Sequence, residues 1–294
     1  ILTHPHPMIS DSGNRKHFKE IRRTKREISG AQLQGSGGQA KNGIIVPLYA
    51  REKIVGCFGF FNRDDSFNAP SLKLARAIAE EASVQIEKSL LYQNTLSQAR
   101  MRAELDVAAN IQTQLLPQTI PDVENVDLYA ASIQAKQVGG DFYDFTYKEG
   151  IPLTISVGDV AGKGMSAALL MAMTRTVLRT WIKTLATNQA APVLAMVNDD
   201  LYDDYTQVNS FTTVFVGRYL PESGILRYAN AGHSPVIHYT PEVGATLMKA
   251  EDMPLGILPD IAFTDQEIKL QSGDILVVAT DGFSEATDPD YNMF

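Results

Sequence analysis

The stretch ISVGDVAGKGMSAALLMA, residues 155–172, joins an apolar strand to an amphipathic helix through a glycine-rich turn. Asp159 lies at the end of the strand, where a rigid element holds its carboxylate and the glycines expose neighbouring carbonyl groups. The turn is not a Walker A loop, because three residues rather than four separate Gly158 from Gly162 and a glycine follows Lys163. The stretch therefore predicts a strand–turn–helix unit with an oxygen-rich end.

Two further acidic segments share this pattern. GGDFYD, residues 139–144, begins with a glycine pair, and TDGFSEA, residues 280–286, follows an apolar run. Any single Asp-Gly is typical of a turn. Carboxylates from distant segments can also converge on hard cations, which prefer oxygen ligands. Asp141, Asp159 and Asp281 together therefore indicate a metal-dependent hydrolase.

Other polar residues in or near these segments are open to two interpretations. Asp144 lies three residues after Asp141, so in a strand it faces the opposite side and either supports the site from behind or accepts hydrogen bonds in a turn. Lys163 either contacts a substrate phosphate or is solvated. His233 is either a proton donor or a hydrogen-bonded structural histidine, and Gly282 is a further candidate in the third segment.

Charge divides the chain of 294 residues into two parts. Residues 1–100 contain 15 Lys and Arg against 9 Asp and Glu, and residues 101–294 contain 11 against 25, which together give the net charge of −8. This division predicts two modules, with the basic segment at residues 14–27 solvated. The acidic part argues against nucleic acid as a partner, and the apolar runs are too short to span a bilayer. The single cysteine fits a reducing cytoplasm.

The first part predicts a hairpin followed by a helix. Apolar runs at Ile44–Leu48 and Ile54–Phe61 flank the polar segment YAREK, as in antiparallel strands. A helix is expected to begin at Asn68 or Ser71. This arrangement resembles the C-terminal part of a GAF domain, a sensor module, and predicts a partial α/β copy over residues 1–92. The resemblance implies an input from a small molecule or a protein that the sequence does not identify.

Helical periodicity continues from this region to Pro117 without a breaker. Apolar residues recur every three or four positions along it, at Met101, Leu105, Ala108, Ile111 and Leu115. Residues 93–116 therefore predict a linker helix. Such a stripe favours a parallel homodimer through the linker, which would transmit the state of the sensor.

The region after Pro117 predicts seven strands, at Val126–Ile133, Phe142–Tyr147, Leu153–Val157, Phe211–Leu220, Ile225–Ala229, Val236–Tyr239 and Ile275–Ala279. Two helices, Met165–Leu185 and Pro192–Tyr205, interrupt them. Many strands with grouped helices predict an α+β fold with largely antiparallel sheets. A doubly wound parallel sheet would instead require strands and helices to alternate throughout.

Five sequence blocks occur in order between residues 109 and 294: A-N-IQ--LLP (109–117), VGGDFYD (138–144), GDVAGKGMSAALLMA (158–172), NAGHSP (230–235) and LVVATDGFSEA (276–286). Together they resemble the bacterial stage II sporulation protein E-type phosphatases, which are metal-dependent Ser/Thr protein phosphatases of the 2C class. The resemblance implies an αββα β-sandwich over residues 117–294 that holds two Mn²⁺ or Mg²⁺ ions.

The resemblance also implies a role for individual residues. Asp159 would bridge both ions with help from the Val160 carbonyl, Asp141 would hold one ion, and Asp281 would hold the other. No protein nucleophile is then required, and Cys57 is expected to be a buried apolar residue. The family pattern places a further aspartate beyond residue 294. The chain is therefore expected to be a fragment truncated at both ends, with a C-terminally incomplete phosphatase domain, which leaves the activity of the fragment open.

Substrate and regulation follow from the same resemblance. It implies a phosphorylated anti-anti-sigma (STAS) domain as the substrate, in a partner-switching circuit controlled by the GAF-like sensor. A competing hypothesis is a non-enzymatic dimeric signalling adaptor whose phosphatase fold has become a binding surface. The intact residues Asp141, Asp159 and Asp281 argue against that hypothesis.

Overall fold

A computed structural model describes residues 28–29, 33–35, 38–40, 43–61, 68–133, 138–148, 151–185, 187–286 and 288. The chain divides into two compact units, residues 1–101 and 102–294. The basic segment at residues 14–27 lies outside the described residues. Within the described ranges, no helix combines the length and the apolar character needed to cross a membrane.

The first unit contains the predicted hairpin. Its strands are β1 Ile28–Ser29, β2 Leu33–Gly35, β3 Gly38–Ala40, β4 Gly43–Ala50 and β5 Lys53–Phe61. β4 pairs with β5 in antiparallel register, which confirms the hairpin, and β1 pairs with the other edge of β4. Ile44 and Val46 pack against Ala75 and Ala79 of the following helix, which forms a small core.

The helix that follows, α1 Ala69–Leu115, has the predicted extent. It begins after Asn68, whose side-chain oxygen accepts hydrogen bonds from the backbone N–H of Ser71 at 3.1 Å and from its hydroxyl at 2.8 Å. Asn68 is therefore the N-cap, and of the two possible starting residues it is the correct one. The boundary between the two units lies within this helix.

The second unit contains the strands β6 Phe142–Lys148, β7 Ile151–Val160, β8 Thr212–Leu220, β9 Ile225–Ala231, β10 Val236–Thr240, β11 Gly244–Met248, β12 Gln266–Lys269 and β13 Ile275–Val277. Its further helices are α2 Met165–Thr184, α3 Ala191–Gln207 and the single turn α4 Asp281–Ser284. The sequence missed β11 and β12, because both are short and lack a long apolar run.

The predicted strand Val126–Ile133 is wrong. Apart from an isolated bridge between Val123 and Val126, this segment forms no strand, and Tyr129 and Ile133 are 87% and 96% exposed. Apolar content raises strand propensity, but a strand also needs a neighbour to complete its hydrogen bonds. None of the described residues provides one.

The second unit is built in layers. Five antiparallel strands form one sheet in the order β12-β9-β8-β7-β6, and three form another in the order β11-β10-β13. Helices α2 and α3 cover one face of the larger sheet, and the side chains of Phe215, Tyr228 and Val236 lie between the sheets. The α+β prediction with antiparallel sheets is therefore confirmed. The described residues form three of the four layers that an αββα sandwich contains.

A buried arginine on β8 holds the helical layer to the sheet. Arg218 is fully buried, and its guanidinium donates to the carbonyl oxygen of Ile182 at 2.7 Å and to that of Gln189 at 3.3 Å, with a further bond to the carbonyl of Thr187. These carbonyls belong to the end of α2 and to the connection that leads to α3. Since helix ends leave carbonyls without intrahelical donors, Arg218 satisfies groups that would otherwise be buried unpaired.

We expect Arg218→Met to lower the free energy of unfolding by about 3 kcal/mol, because it leaves these buried carbonyls without donors. Arg227→Met is a matched control, since Arg227 lies opposite Arg218 in the β8–β9 ladder and makes only an exposed ion pair with Glu267. That control should change stability by less than about 0.5 kcal/mol. Urea unfolding curves check both values, and equal effects of the two variants would contradict the role assigned to Arg218.

Candidate metal centre

The register of the β6–β7 hairpin brings two of the three predicted carboxylates together. Phe142 pairs with Gly158 across the ladder, so Asp141, directly before β6, lies opposite Asp159 near the end of β7. Both strands are held in the larger sheet, which fixes the two aspartates at the same edge. The predicted convergence of Asp141 and Asp159 therefore follows from strand pairing.

The third segment reaches the same edge through its threonine. Thr280, the N-cap residue of α4, donates its hydroxyl hydrogen to Asp141 Oδ2 at 2.7 Å. Asp281 is the next residue and is exposed. Its charge acts on Asp159. Thr280 thus ties the segment that carries Asp281 to the first acidic segment.

Electrostatics at this edge favour the uptake of positive charge. Burial, followed by a hydrogen bond with Asp141 and the charges of Asp141 and Asp281, raises the pKa of Asp159 to about 7, and Lys163 opposes this shift. Crowded carboxylates raise one another's pKa because the second negative charge is costly beside the first. A divalent cation would remove that cost.

A backbone carbonyl oxygen lies close to these carboxylates. A Cβ atom at Gly140 would lie 2.4 Å from the Val160 carbonyl oxygen and 3.0 Å from Asp159 Oδ1, so only glycine leaves room beside these two oxygens. The Val160 side chain points away into the core beneath α2 and α3. Asp141, Asp159 and the Val160 carbonyl therefore supply oxygen donors alone, the chemistry that Mg²⁺ and Mn²⁺ prefer.

The carboxylates do not form a closed set of ligands in this conformation. Among the described residues, no three His, Cys, Asp or Glu side chains lie close enough together to form a metal-binding group. The hydrogen-bonded pair is Asp141 and Asp159, and Asp281 acts on Asp159 only through its charge. The residues fit a hard cation by donor type, with Asp281 standing apart from the pair.

Asp144 has a different environment. Its carboxylate is buried on the helix-facing side of β6, where it accepts hydrogen bonds from Arg175 at 3.1 Å and Arg179 at 3.4 Å, and its Oδ1 accepts the N–H of Phe145 at 2.8 Å. The expectation that Asp141 and Asp144 face opposite sides of the strand fits this position. Asp144 binds α2 to the sheet.

The turn after β7 leaves Lys163 free to approach an anion. Gly162 and Gly164 have φ angles of 113° and 82°, a region that favours glycine. Lys163 lies exposed between them, and its positive charge partly offsets the rise in the pKa of Asp159. Gly282 lies in open space: a Cβ atom there would meet nothing within 4 Å, so no close contact requires glycine at this position.

His233 is buried next to the same edge. The backbone N–H of His233 donates to Asn230 Oδ1 at 2.7 Å. Its ring Nδ1 lies 3.0 Å from the Thr213 hydroxyl, which in turn donates to the backbone carbonyl oxygen of Asp159 at 3.5 Å. Burial lowers the pKa of His233 to about 4, so the ring is neutral at physiological pH. These contacts hold the ring beside the strand end and favour the structural interpretation of His233.

Sequence reasoning missed Gln112 as a residue that positions the site. Its buried amide donates to the carbonyl oxygen of Gly139 at 2.6 Å and accepts the N–H of Gly139 at 3.1 Å. This two-point contact resembles a strand pair and fixes the segment that leads into Asp141. The only available signal was its place in the 109–117 block, because helical periodicity does not reveal a partner 27 residues away.

Comparison with known proteins identifies a related family. Residues 152–294 match the family model of Stage II sporulation protein E (SpoIIE). The chain is 32% identical over 189 residues to Phosphoserine phosphatase RsbU of Bacillus subtilis, a match that covers 64% of this chain and 55% of that protein. It is 29% identical over 217 residues to Protein IcfG of Synechocystis, with 66% and 34% covered. The chain thus spans about half or less of these curated relatives.

A solved structure supports the fold. The SiaA-PP2C domain of Pseudomonas aeruginosa superimposes with a TM-score of 0.53 at 20% sequence identity, covering 64% of this chain and 75% of that domain. At this identity the likeness concerns the fold alone. It agrees with the layered α+β arrangement of the second unit.

The glycine pair before Asp141 provides a sharp test of the site. We expect Gly140→Ala to weaken Mn²⁺ binding at least about tenfold, because the new methyl group would collide with the Val160 carbonyl, a backbone atom that cannot move aside cheaply. Gly139→Ala is the matched control, since a Cβ atom there meets nothing within 4 Å and the bonds with Gln112 involve only its backbone. Calorimetric titration with Mn²⁺ measures both, and equal affinities would contradict the assignment.

Proposed function

We propose, from the premise that residues 152–294 form a SpoIIE-type phosphatase domain, that this chain hydrolyses phosphoserine or phosphothreonine in proteins with the help of two Mn²⁺ or Mg²⁺ ions. The observation that supports the proposal best is the pairing of Asp141 with Asp159 beside the Val160 carbonyl oxygen. The similarity to a phosphoserine phosphatase points to the same chemistry.

Each residue has a role in this proposal. Asp159 and Asp141 would hold the cations, with the Val160 carbonyl as a neutral ligand and Asp281 as the third carboxylate. Lys163 draws the phosphate dianion towards an otherwise acidic edge. When bound, the cations would acidify the attacking water and neutralise charge on the phosphoryl oxygens.

No protein nucleophile is required for this reaction. Cys57 is half-buried in β5, and burial raises the pKa of its thiol, so it is not a reactive thiolate. His233 is neutral and hydrogen-bonded, which suits a supporting role rather than a titrating one. The chemistry therefore rests on the carboxylates and the cations they bind.

The proposed substrate is a phosphorylated STAS-type protein, as the family resemblance implies. The proposed regulation begins in the first unit, which would act as a GAF-type sensor, and continues along α1. Gln112 supports this route because it joins the end of α1 to the segment that carries Asp141. A shift of the helix would therefore move a cation ligand.

A homodimer through α1 belongs to the same proposal. Met101, Ile111 and Leu115 of the predicted stripe are exposed apolar residues on the helix surface. Exposed apolar residues at heptad-like spacing favour pairing with a second helix, which would remove them from water. Pairing of two linkers would give the sensor a direct way to change helix position.

The central test is Asp159→Asn in the full-length natural protein. We expect a loss of roughly a hundredfold or more in Mn²⁺-dependent phosphate release from a phosphoserine peptide, because the amide cannot supply the negative charge that holds the cations. Asp203→Asn on α3 is the control, since Asp203 is exposed and carries no proposed role. Full turnover in excess chelator, or by Asp159→Asn, would contradict the proposal. Absence of turnover in the wild type would favour the adaptor hypothesis.

A second test concerns the dimer. We expect the double variant Met101→Glu, Ile111→Glu to sediment as a monomer at micromolar concentrations at which the wild type is a dimer, because two buried charges would face their copies. Gln114→Glu, an exposed position on the same helix, should leave the dimer intact. Analytical ultracentrifugation distinguishes these states. A wild type that remains monomeric at high micromolar concentration removes the dimer proposal.

A further inference from the structure

Thr280 lies at a position where a threonine ordinarily caps a helix. It is the N-cap residue of α4, with φ and ψ angles of −75° and 169°, the extended conformation that N-cap residues adopt. The side-chain oxygen of a capping threonine accepts a backbone N–H from the first turn of its own helix. Thr280 makes no such bond. Its hydroxyl is directed across the fold and donates to Asp141 Oδ2 at 2.7 Å.

The bond from Thr280 restrains the side chain of Asp141. Asp141 precedes β6, so it lies outside the strand ladder, and the last torsion of a carboxylate side chain is otherwise broad. The Thr280 hydroxyl engages one carboxylate oxygen, and Asp159 forms a hydrogen bond with the same carboxylate from β7. Two contacts from different segments therefore set the direction in which the Asp141 carboxylate faces.

The same bond tethers the segment that carries Asp281. The residues of α4 are not buried, so packing does little to hold this turn in place. Its backbone bonds are local, as in the bond from the N–H of Glu285 to the carbonyl oxygen of Asp281 at 2.8 Å. Because adjacent Cα atoms are about 3.8 Å apart, a bond at Thr280 limits where Asp281 can lie relative to Asp141.

Resting on the proposed roles of Asp141 and Asp281 as cation ligands, we infer that Thr280 is a positioning residue that couples these two ligands. Its side chain orients the first carboxylate and its backbone leads directly into the second, so the position of each depends on the other. Loss of a hydrogen bond to a ligating carboxylate typically weakens metal binding by about 10- to 100-fold. A threonine that served α4 alone would cap it, and Thr280 does not.

Calorimetric titration of the full-length natural protein with Mn²⁺ tests this role. We expect Thr280→Val, which keeps the shape of the side chain and removes the hydroxyl, to weaken Mn²⁺ binding at least about tenfold. Thr280→Ser keeps the donor and should bind Mn²⁺ nearly as the wild type does. Thr180→Val on α2 is the control, since its exposed hydroxyl donates to the Thr176 carbonyl oxygen at 2.9 Å within the same helix, and it should leave the affinity unchanged.

A double-mutant cycle with Asp281→Asn tests the coupling. Because Thr280 positions Asp281, loss of this carboxylate should weaken Mn²⁺ binding by a larger factor in the wild-type background than in Thr280→Val. Equal factors in the two backgrounds overturn the coupling. A folded Thr280→Val that binds Mn²⁺ as the wild type does, or a Thr280→Ser that binds as weakly as Thr280→Val, overturns the role of the hydroxyl.

Melting curves in excess chelator show whether each variant is folded. If Thr280→Val unfolds, a comparison of Thr280→Ser with Thr280→Ala isolates the hydroxyl, and equal affinities overturn its role. A wild type that binds no Mn²⁺ overturns the metal centre and this role together. A wild type that binds Mn²⁺ and releases no phosphate contradicts the phosphatase proposal alone, and the variants still decide the role of Thr280.

Discussion

The register between β6 and β7 is the constraint on which the rest of the second unit depends. Phe142 lies over Gly158, and a Cβ atom at Gly158 would come within 2.5 Å of the phenylalanine ring, so the ladder closes only because residue 158 is glycine. This register sets Asp141 against Asp159 at one end. It also directs Asp144 towards α2 and its arginines, since alternate side chains of a strand face opposite sides. If β6 slipped by one residue in this pairing, Asp144 would turn away from α2 and Asp141 would turn towards it.

Two aspartates of the β6–β7 hairpin, Asp144 and Asp159, thus have opposite electrostatic environments. Asp144 is buried but paired with Arg175 and Arg179, which supply hydrogen bonds and positive charge. Asp159 is partly buried and crowded by other carboxylates, so burial first, and then these neighbours, raise the pKa of its side chain to about 7. The first arrangement holds the helical layer to the sheet. The second is costly without a cation, and such a local cost is typical of a functional site rather than of a structural one.

Two further contacts join distant parts of the chain to the carboxylate edge. Gln112, near the end of α1, makes two hydrogen bonds with the backbone of Gly139. The hydroxyl of Thr280, in the segment that carries Asp281, donates a hydrogen bond to Asp141. Both act on the few residues around Asp141, so movement of either element changes the position of a cation ligand. The carbonyl oxygen of Phe211 accepts the N–H of Ala161, which ties the residue before β8 to the same edge.

The sequence by itself determined the long helix, the antiparallel α+β character of the second unit and the three acidic segments, because periodicity, glycine turns and strand-end aspartates are local signals. It also favoured Asp141 over Asp144, since side-chain alternation in a strand is local too. Only the tertiary structure decided that Val126–Ile133 is not a strand, that Asp144 pairs with α2, and that Gln112, Thr213 and Thr280 border the site. These outcomes depend on which groups meet across the fold, and a hydrogen bond between residues far apart in the chain leaves no periodic trace in the sequence.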